Sequence, residues 1–188
     1  MPTETLHAHS LTEAYLYLAV TPCSICKHGA TEASDVRPAT QTNALRIITT
    51  CKNCGGAEEY IFQVPDNTSR DTDLINTGQE PSRIVDVAQW LTLYKLKLEQ
   101  ADKETDKMQK RRLSHQAGQC LEEALRFYGP DSDVPPSSAF FCDRSREAFR
   151  DHPERFARQR LVGLAAELPK FDLIGLKLEP KRPWWKFW

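Results

Sequence analysis

Two short cysteine motifs decide how the first third of this chain folds: Thr21-Pro-Cys-Ser-Ile-Cys-Lys-His-Gly29 and Cys51-Lys-Asn-Cys-Gly-Gly56. Two residues separate the cysteines within each motif, and 24 residues lie between the motifs. This spacing lets a tight turn direct both thiolates at one metal ion, and a following glycine permits the positive φ that such a turn needs. Two turns of this kind complete a closed tetrahedral site for one structural Zn²⁺. The predicted ligands are Cys23, Cys26, Cys51 and Cys54.

The paired motifs resemble those of zinc-ribbon domains, and the resemblance covers about the first third of the chain. Aromatic and β-branched residues at 15–20 and 43–50 predict strands that lead into the two motifs, and 59–64 predicts the strand that leaves the second. The resemblance implies an antiparallel ribbon with one structural zinc ion and names no subfamily. One departure is that Lys27 and His28 delay the glycine of the first motif by two positions.

Four clustered cysteines have other uses, which the spacing alone leaves open. They could form two disulfides or hold an iron–sulfur cluster, and a rubredoxin-like iron site would make the protein an electron carrier. His28 lies within reach of the first motif and could replace a cysteine, although a solvated loop histidine is the simpler interpretation. Visible absorption and metal analysis would separate iron from zinc.

The second half of the chain has helical periodicity. Apolar residues recur every three or four positions in two long stripes, the first after a predicted cap at Ser82. The stripes consist of Ile84, Val87, Leu91, Tyr94 and Leu98, and of Leu113, Ala117, Leu121, Ala124 and Tyr128. Two shorter helices are predicted at 139–150 and from Pro153 onward.

These patterns predict an α+β fold in which an N-terminal antiparallel zinc ribbon packs against a C-terminal bundle of about four helices. The ribbon is assigned to residues 1–66 and the helical domain, with its Trp-rich tail, to 83–188. Residues 67–82 are polar and rich in turn-forming residues, which is typical of a linker.

Composition favours a soluble globular protein. Of the 188 residues, 40% are hydrophobic and 27% are charged, and no apolar run is long enough for a membrane span. The first ten residues lack the basic and apolar segments of a secretory signal, so we expect a cytoplasmic protein. In that compartment the six cysteines are read as thiols and metal ligands and not as a disulfide framework.

The net charge of −1 is unevenly distributed along the chain. Residues 1–80 contain five basic and ten acidic residues, a net charge of −5, whereas residues 81–188 contain twenty and sixteen, a net charge of +4. Because nucleic-acid binding relies on Lys and Arg that neutralise phosphates, the acidic ribbon disfavours it. A nucleic-acid-binding zinc ribbon is therefore retained only as an alternative.

No catalytic arrangement is recognised in the sequence, which contains no glycine-rich phosphate loop, nucleophile elbow or paired-histidine zinc motif. Cys120 lies in an apolar stripe and Cys142 in an aromatic segment, so both are interpreted as core thiols and not as nucleophiles. An enzyme with unrecognised residues is the alternative. We predict a non-catalytic protein that binds a protein partner as an adaptor or inhibitor, a class that includes immunity-type neutralisers of toxins.

The C-terminal segment 181–188 combines basic residues with three of the four tryptophans. Such a mixture suits the groove of a partner or a membrane interface, and the same segment could also fill the protein's own core. The candidate partner-binding residues are Trp184, Trp185, Phe187 and Trp188.

Overall fold

The computed structural model describes residues 5–28, 31–39, 44–65, 75–76 and 78–168. Within these ranges the chain forms a four-stranded sheet, one helix ahead of the first cysteine motif and four helices after the sheet, which confirms the predicted α+β class. The strands are β1 (Thr5–His7), β2 (Thr31–Pro38), β3 (Ala44–Cys51) and β4 (Ala57–Gln63). The helices are α1 (Leu11–Val20), α2 (Val87–Lys103), α3 (Lys107–Leu125), α4 (Asp143–Asp151) and α5 (Arg158–Ala166), with short 3-10 helices at Ser137–Ala139 and Pro153–Phe156.

The sheet has the strand order β1-β4-β3-β2. The pairs β2–β3 and β3–β4 are antiparallel, as a ribbon requires, whereas β1 joins the edge of β4 in parallel. The described sheet is therefore a three-stranded antiparallel ribbon extended by one parallel strand. Its inner face carries Ile47 and Phe62, both fully buried.

The segment before the first motif is a helix and not the predicted strand. Ser10 caps α1 by accepting a hydrogen bond from the Glu13 N–H at 3.0 Å, and the Glu13 carboxylate accepts one from the His9 N–H. The first bond satisfies a donor in the first turn of the helix, and the second ties Glu13 to the residue before the cap. Burial of Ala14 and Leu18 then outweighs the β propensity of the aromatic residues around them. The first motif consequently follows a helix.

The first long helix begins three residues later than its apolar stripe suggests. The cap of α2 is Asp86, which exchanges hydrogen bonds with Gln89 in a capping box. The Ser82 hydroxyl, predicted as the cap, accepts hydrogen bonds from the N–H groups of Ile84 and Val85 at 3.2 and 2.9 Å and so organises the preceding turn.

The sheet and the helices share one hydrophobic core. The buried cluster contains Leu18 and Phe62 from the N-terminal part and Trp90 and Leu121 from α2 and α3. In the described part of the chain, no helix has the length and apolar character needed to cross a bilayer. The candidate partner-binding residues of the tail, Trp184, Trp185, Phe187 and Trp188, lie outside the described residues.

Candidate metal centre

Strand pairing brings the two cysteine motifs to one end of the sheet. The first motif forms the turn between α1 and β2, and the second closes the β3–β4 hairpin. Thr31, at the start of β2, pairs with Cys51, at the end of β3. The register of β2 on β3 therefore places the first motif beside the second.

The two turns have the same backbone geometry. The Cys23 carbonyl accepts a hydrogen bond from the Lys27 N–H, and the Cys51 carbonyl accepts one from the Gly55 N–H, each at 2.9 Å. Lys27 and Gly55 both have positive φ, at 61° and 70°. The sequence suggested that the left-handed residue of the first turn comes two positions late. The structure shows otherwise, because Lys27 takes the position that Gly55 takes in the second turn.

The four sulfurs lie at the spacing of a tetrahedral metal site. The Sγ atoms of Cys23 and Cys54 are 3.8 Å apart, those of Cys26 and Cys51 are 3.6 Å apart, and all four lie within 4.8 Å of one another. A tetrahedron with Zn–S bonds of about 2.3 Å separates its sulfurs by roughly 3.8 Å, whereas a disulfide requires about 2.05 Å. The arrangement confirms a zinc-ribbon-like motif pair that can hold one metal ion and fits a single structural zinc.

The four clustered thiols hinder one another's ionisation. A hydrogen bond from the Gly56 backbone lowers the pKa of the Cys54 thiol, but burial and the three neighbouring sulfurs raise it, so that the pKa is about 11. Adjacent thiols resist joint ionisation because each thiolate repels the next. A divalent cation supplies the opposite charge that lets all four sulfurs become ligands.

Residues around the sulfurs hold the two turns in place. The Asn53 N–H donates a hydrogen bond to Cys51 Sγ at 3.4 Å, and the Ser24 N–H donates to both carboxylate oxygens of Glu58 at 3.2 Å. The Glu58 contact ties the first turn to β4. Glu58 is one of the ten acidic residues of 1–80, and no local sequence pattern predicts its contact across 34 positions.

Gly56 lies where the two turns approach each other closely. A Cβ atom at this position would lie 2.5 Å from Ile25 Cδ1 and 3.3 Å from Cys54 Sγ. The Ile25 side chain therefore crosses the second turn where Gly56 leaves room. Ile25 itself is 63% exposed.

The other candidate ligand and thiols lie apart from the four sulfurs. His28 is exposed, and its Nδ1 contacts the Cys26 carbonyl. Among the described residues, the cluster that could hold a metal ion consists of the four cysteines and does not include His28. Cys120 is buried as predicted, and burial raises the pKa of its thiol to about 12. Cys142 is exposed at the N-cap of α4, with Sγ 3.2 Å from Ser145 Oγ, so its interpretation as a core thiol was wrong.

Three acidic residues of the sheet region form ion pairs with basic residues. Three pairs have N–O distances of 2.6 Å: Asp35 with Arg37, Glu59 with Arg46, and Glu32 with Lys52. In one of them, the hydrogen bond between the side chains lowers the pKa of Glu59 and raises that of Arg46.

Comparison of the chain with protein-family models, curated proteins and solved structures gave no match. The centre is therefore defined by its own residues: two turns of matching geometry, four sulfurs at tetrahedral spacing and a carboxylate that joins the turns.

Proposed function

We propose that this protein is a non-catalytic, cytoplasmic zinc protein that binds a protein partner as an adaptor or inhibitor. The closed four-cysteine centre carries the proposal. A metal ion with a thiolate at every corner of its tetrahedron has no position for water or substrate, so it stabilises structure and does not act as a Lewis acid.

The metal would hold an exposed surface in a fixed shape. Binding of zinc by Cys23 and Cys51, both buried, couples the turn after α1 to the β3–β4 hairpin. The exposed residues at the tip of these turns include Ile25, Lys52 and Asn53. An aliphatic side chain on a rigid support suits the anchor of a protein interface, because little conformational entropy is lost on binding.

The charge distribution favours a basic partner for the N-terminal part. Residues 1–80 carry a net charge of −5, and complementary charge accelerates association and selects partners. An immunity-type inhibitor that covers a basic, nucleic-acid-directed toxin belongs to this class. The aromatic tail, with Trp184, Trp185, Phe187 and Trp188, is proposed as a second anchor.

Copurification with matched variants tests the proposal. The tagged chain, expressed in its native source, should recover one protein in stoichiometric amount, and Ile25→Asp should lose it. Val162→Asp is the control, because Val162 is also an exposed aliphatic residue, at 50% exposure, but lies on α5. Both variants should keep one zinc per chain, which shows that the metal centre is intact.

Two results would contradict a protein-binding function. One is the recovery of no stoichiometric partner by the wild-type chain. The other is salt-sensitive retention on heparin together with a mobility shift of duplex DNA, which would favour the nucleic-acid alternative.

A further inference from the structure

A groove of about 800 Å³ lies between the end of α1 and the helices α2, α4 and α5. Binding sites for small molecules have volumes of about 300–1,000 Å³, so the groove has the size of a ligand site. It lies on the helical side of the molecule, and none of the four clustered cysteines lines it.

The inner walls of the groove are apolar and firmly packed. Phe156 and Leu161 form part of the wall and are 4% and 1% exposed. Tyr17, at the α1 end, packs edge-on against Phe62 with ring centroids 5.8 Å apart. Tyr94 and Leu164 add further apolar surface from α2 and α5. An apolar ligand body would therefore meet a preformed surface.

Among the described residues that line the groove, the charged ones are all cations. They come from α2, α4, α5 and the 3-10 helix before α5: Lys95, Arg144, Arg160 and Arg155. None of the described residues that line the groove is an aspartate or glutamate. Two acids lie close by. Glu154 Oε1 is 4.0 Å from Arg155 Nε, and the pKa of Tyr94 is raised mainly by burial and in part by Glu167. The described lining of the groove is therefore cationic.

We propose that this groove binds an amphipathic organic anion, with a carboxylate or phosphate head group against the arginines and an apolar body along the aromatic and leucine walls. Arginine binds such head groups through paired N–H donors. The proposal is independent of the protein-binding function. Segment 181–188 of the chain is a poor occupant because it carries three bases and no acid, the same sign of charge as the groove.

Calorimetry on the full-length, zinc-loaded protein tests the proposal with ligands that differ only in the head group. Dodecanoate, below its micellar concentration, should bind one per chain and at least about tenfold more tightly than dodecanol or dodecyltrimethylammonium. 1-Naphthoate serves as the aromatic counterpart, and the tighter of the two carboxylates distinguishes a lipid-derived ligand from an aromatic metabolite.

Two arginines on α4 supply the matched variants. Arg144→Gln should weaken dodecanoate binding about tenfold, the effect of losing one charge-assisted hydrogen bond, whereas Arg150→Gln should not change it, since Arg150 does not line the groove. Bound dodecanoate should also slow labelling of Cys142, whose exposed thiol lines the groove.

Four results would overturn the proposal. The first two are equal affinity for dodecanol and dodecanoate, and equal loss of dodecanoate affinity in Arg144→Gln and Arg150→Gln. The others are binding to phosphatidylglycerol vesicles without binding to either free carboxylate, and displacement of dodecanoate by a peptide of residues 181–188. The last result would assign the groove to the protein's own tail.

Discussion

Lys27 adopts a left-handed backbone conformation in the first turn of the metal centre. It has φ of 61° in the first turn, and Gly55 has φ of 70° at the equivalent position of the second. Left-handed backbone costs a residue with a side chain about 1–2 kcal/mol, and glycine avoids that cost. The first turn therefore carries conformational strain that the second does not.

Exchanging these residues should change stability in opposite directions. Lys27→Gly should raise the free energy of unfolding by up to about 1 kcal/mol, because relief of strain exceeds glycine's greater entropy in the unfolded chain. Gly55→Ala should lower it by about 1 kcal/mol through the backbone alone, since a Cβ there would meet nothing within 4 Å. Urea unfolding of the zinc-loaded proteins measures both. A less stable Lys27→Gly protein would show that the Lys27 side chain makes a stabilising contact.

Glu123 should make stability depend on pH. Burial raises the pKa of its carboxyl group to about 7, although Arg126 and Asn76 oppose the shift. A carboxyl group with a raised pKa in the folded state stabilises the fold fully below its unfolded pKa of 4.5, and this contribution is lost as the pH rises through 7. From pH 5 to 8 the wild type should therefore lose on the order of 2 kcal/mol relative to Glu123→Gln. Parallel curves for the two proteins would exclude the shift.

At the scale of elements, the metal motifs could be predicted because their geometry is local. A two-residue spacing with a following glycine encodes the second turn, and the β-branched residues of β3 encode the strand before it. The segment 15–20 could not be assigned in this way. Its aromatic residues have β propensity, and α1 forms because Ser10 and Glu13 cap it and its inner face is buried against the sheet.

The groove is a second feature that sequence alone could not reveal. Its walls come from α1, α2, α4 and α5, and its cations are separated in sequence by as many as 65 positions, from Lys95 to Arg160. In the sequence, acids such as Glu147 and Glu154 stand among the arginines, so no local pattern marks a cationic site. Only packing of the helices brings the bases to one cavity and leaves most of the acids outside it.

Helix α2 depends on a buried cap, and this dependence can be measured. Asp86 is fully buried, accepts a hydrogen bond from the Gln89 N–H at 2.9 Å and accepts another from the Phe141 N–H at 3.1 Å. Asp86→Ala should cost about 2–4 kcal/mol, because it removes a helix cap and leaves a second N–H group without its partner. Asp106→Ala is the control, since Asp106 caps α3 at an exposed position and should cost only about 1 kcal/mol. Equal losses in urea unfolding would show that the contact with Phe141 adds nothing.

At the scale of the whole molecule, the metal centre and the helices are linked through the shared core. Phe62, on β4, packs with Tyr17 and Tyr60 at centroid distances of 5.8 and 6.2 Å and belongs to the same buried cluster as Trp90 of α2. Loss of the metal should therefore destabilise the helices as well as the two turns. This differs from two independent domains, in which the helical part would retain its melting temperature.

Removal of one ligand should consequently shift a single unfolding transition. Cys51→Ser should lose about one zinc per chain and lower the melting temperature seen in both the helical and the aromatic circular dichroism, because zinc binding and folding are coupled. Cys120→Ala should keep its zinc, since Cys120 lies in α3, away from the four sulfurs. If Cys51→Ser loses zinc but its helical signal melts at the wild-type temperature, the helices fold independently of the ribbon. If Cys51→Ser keeps its zinc and the wild-type melting temperature, the four-cysteine assignment fails. Iron in the purified wild-type protein would point to a rubredoxin-like centre.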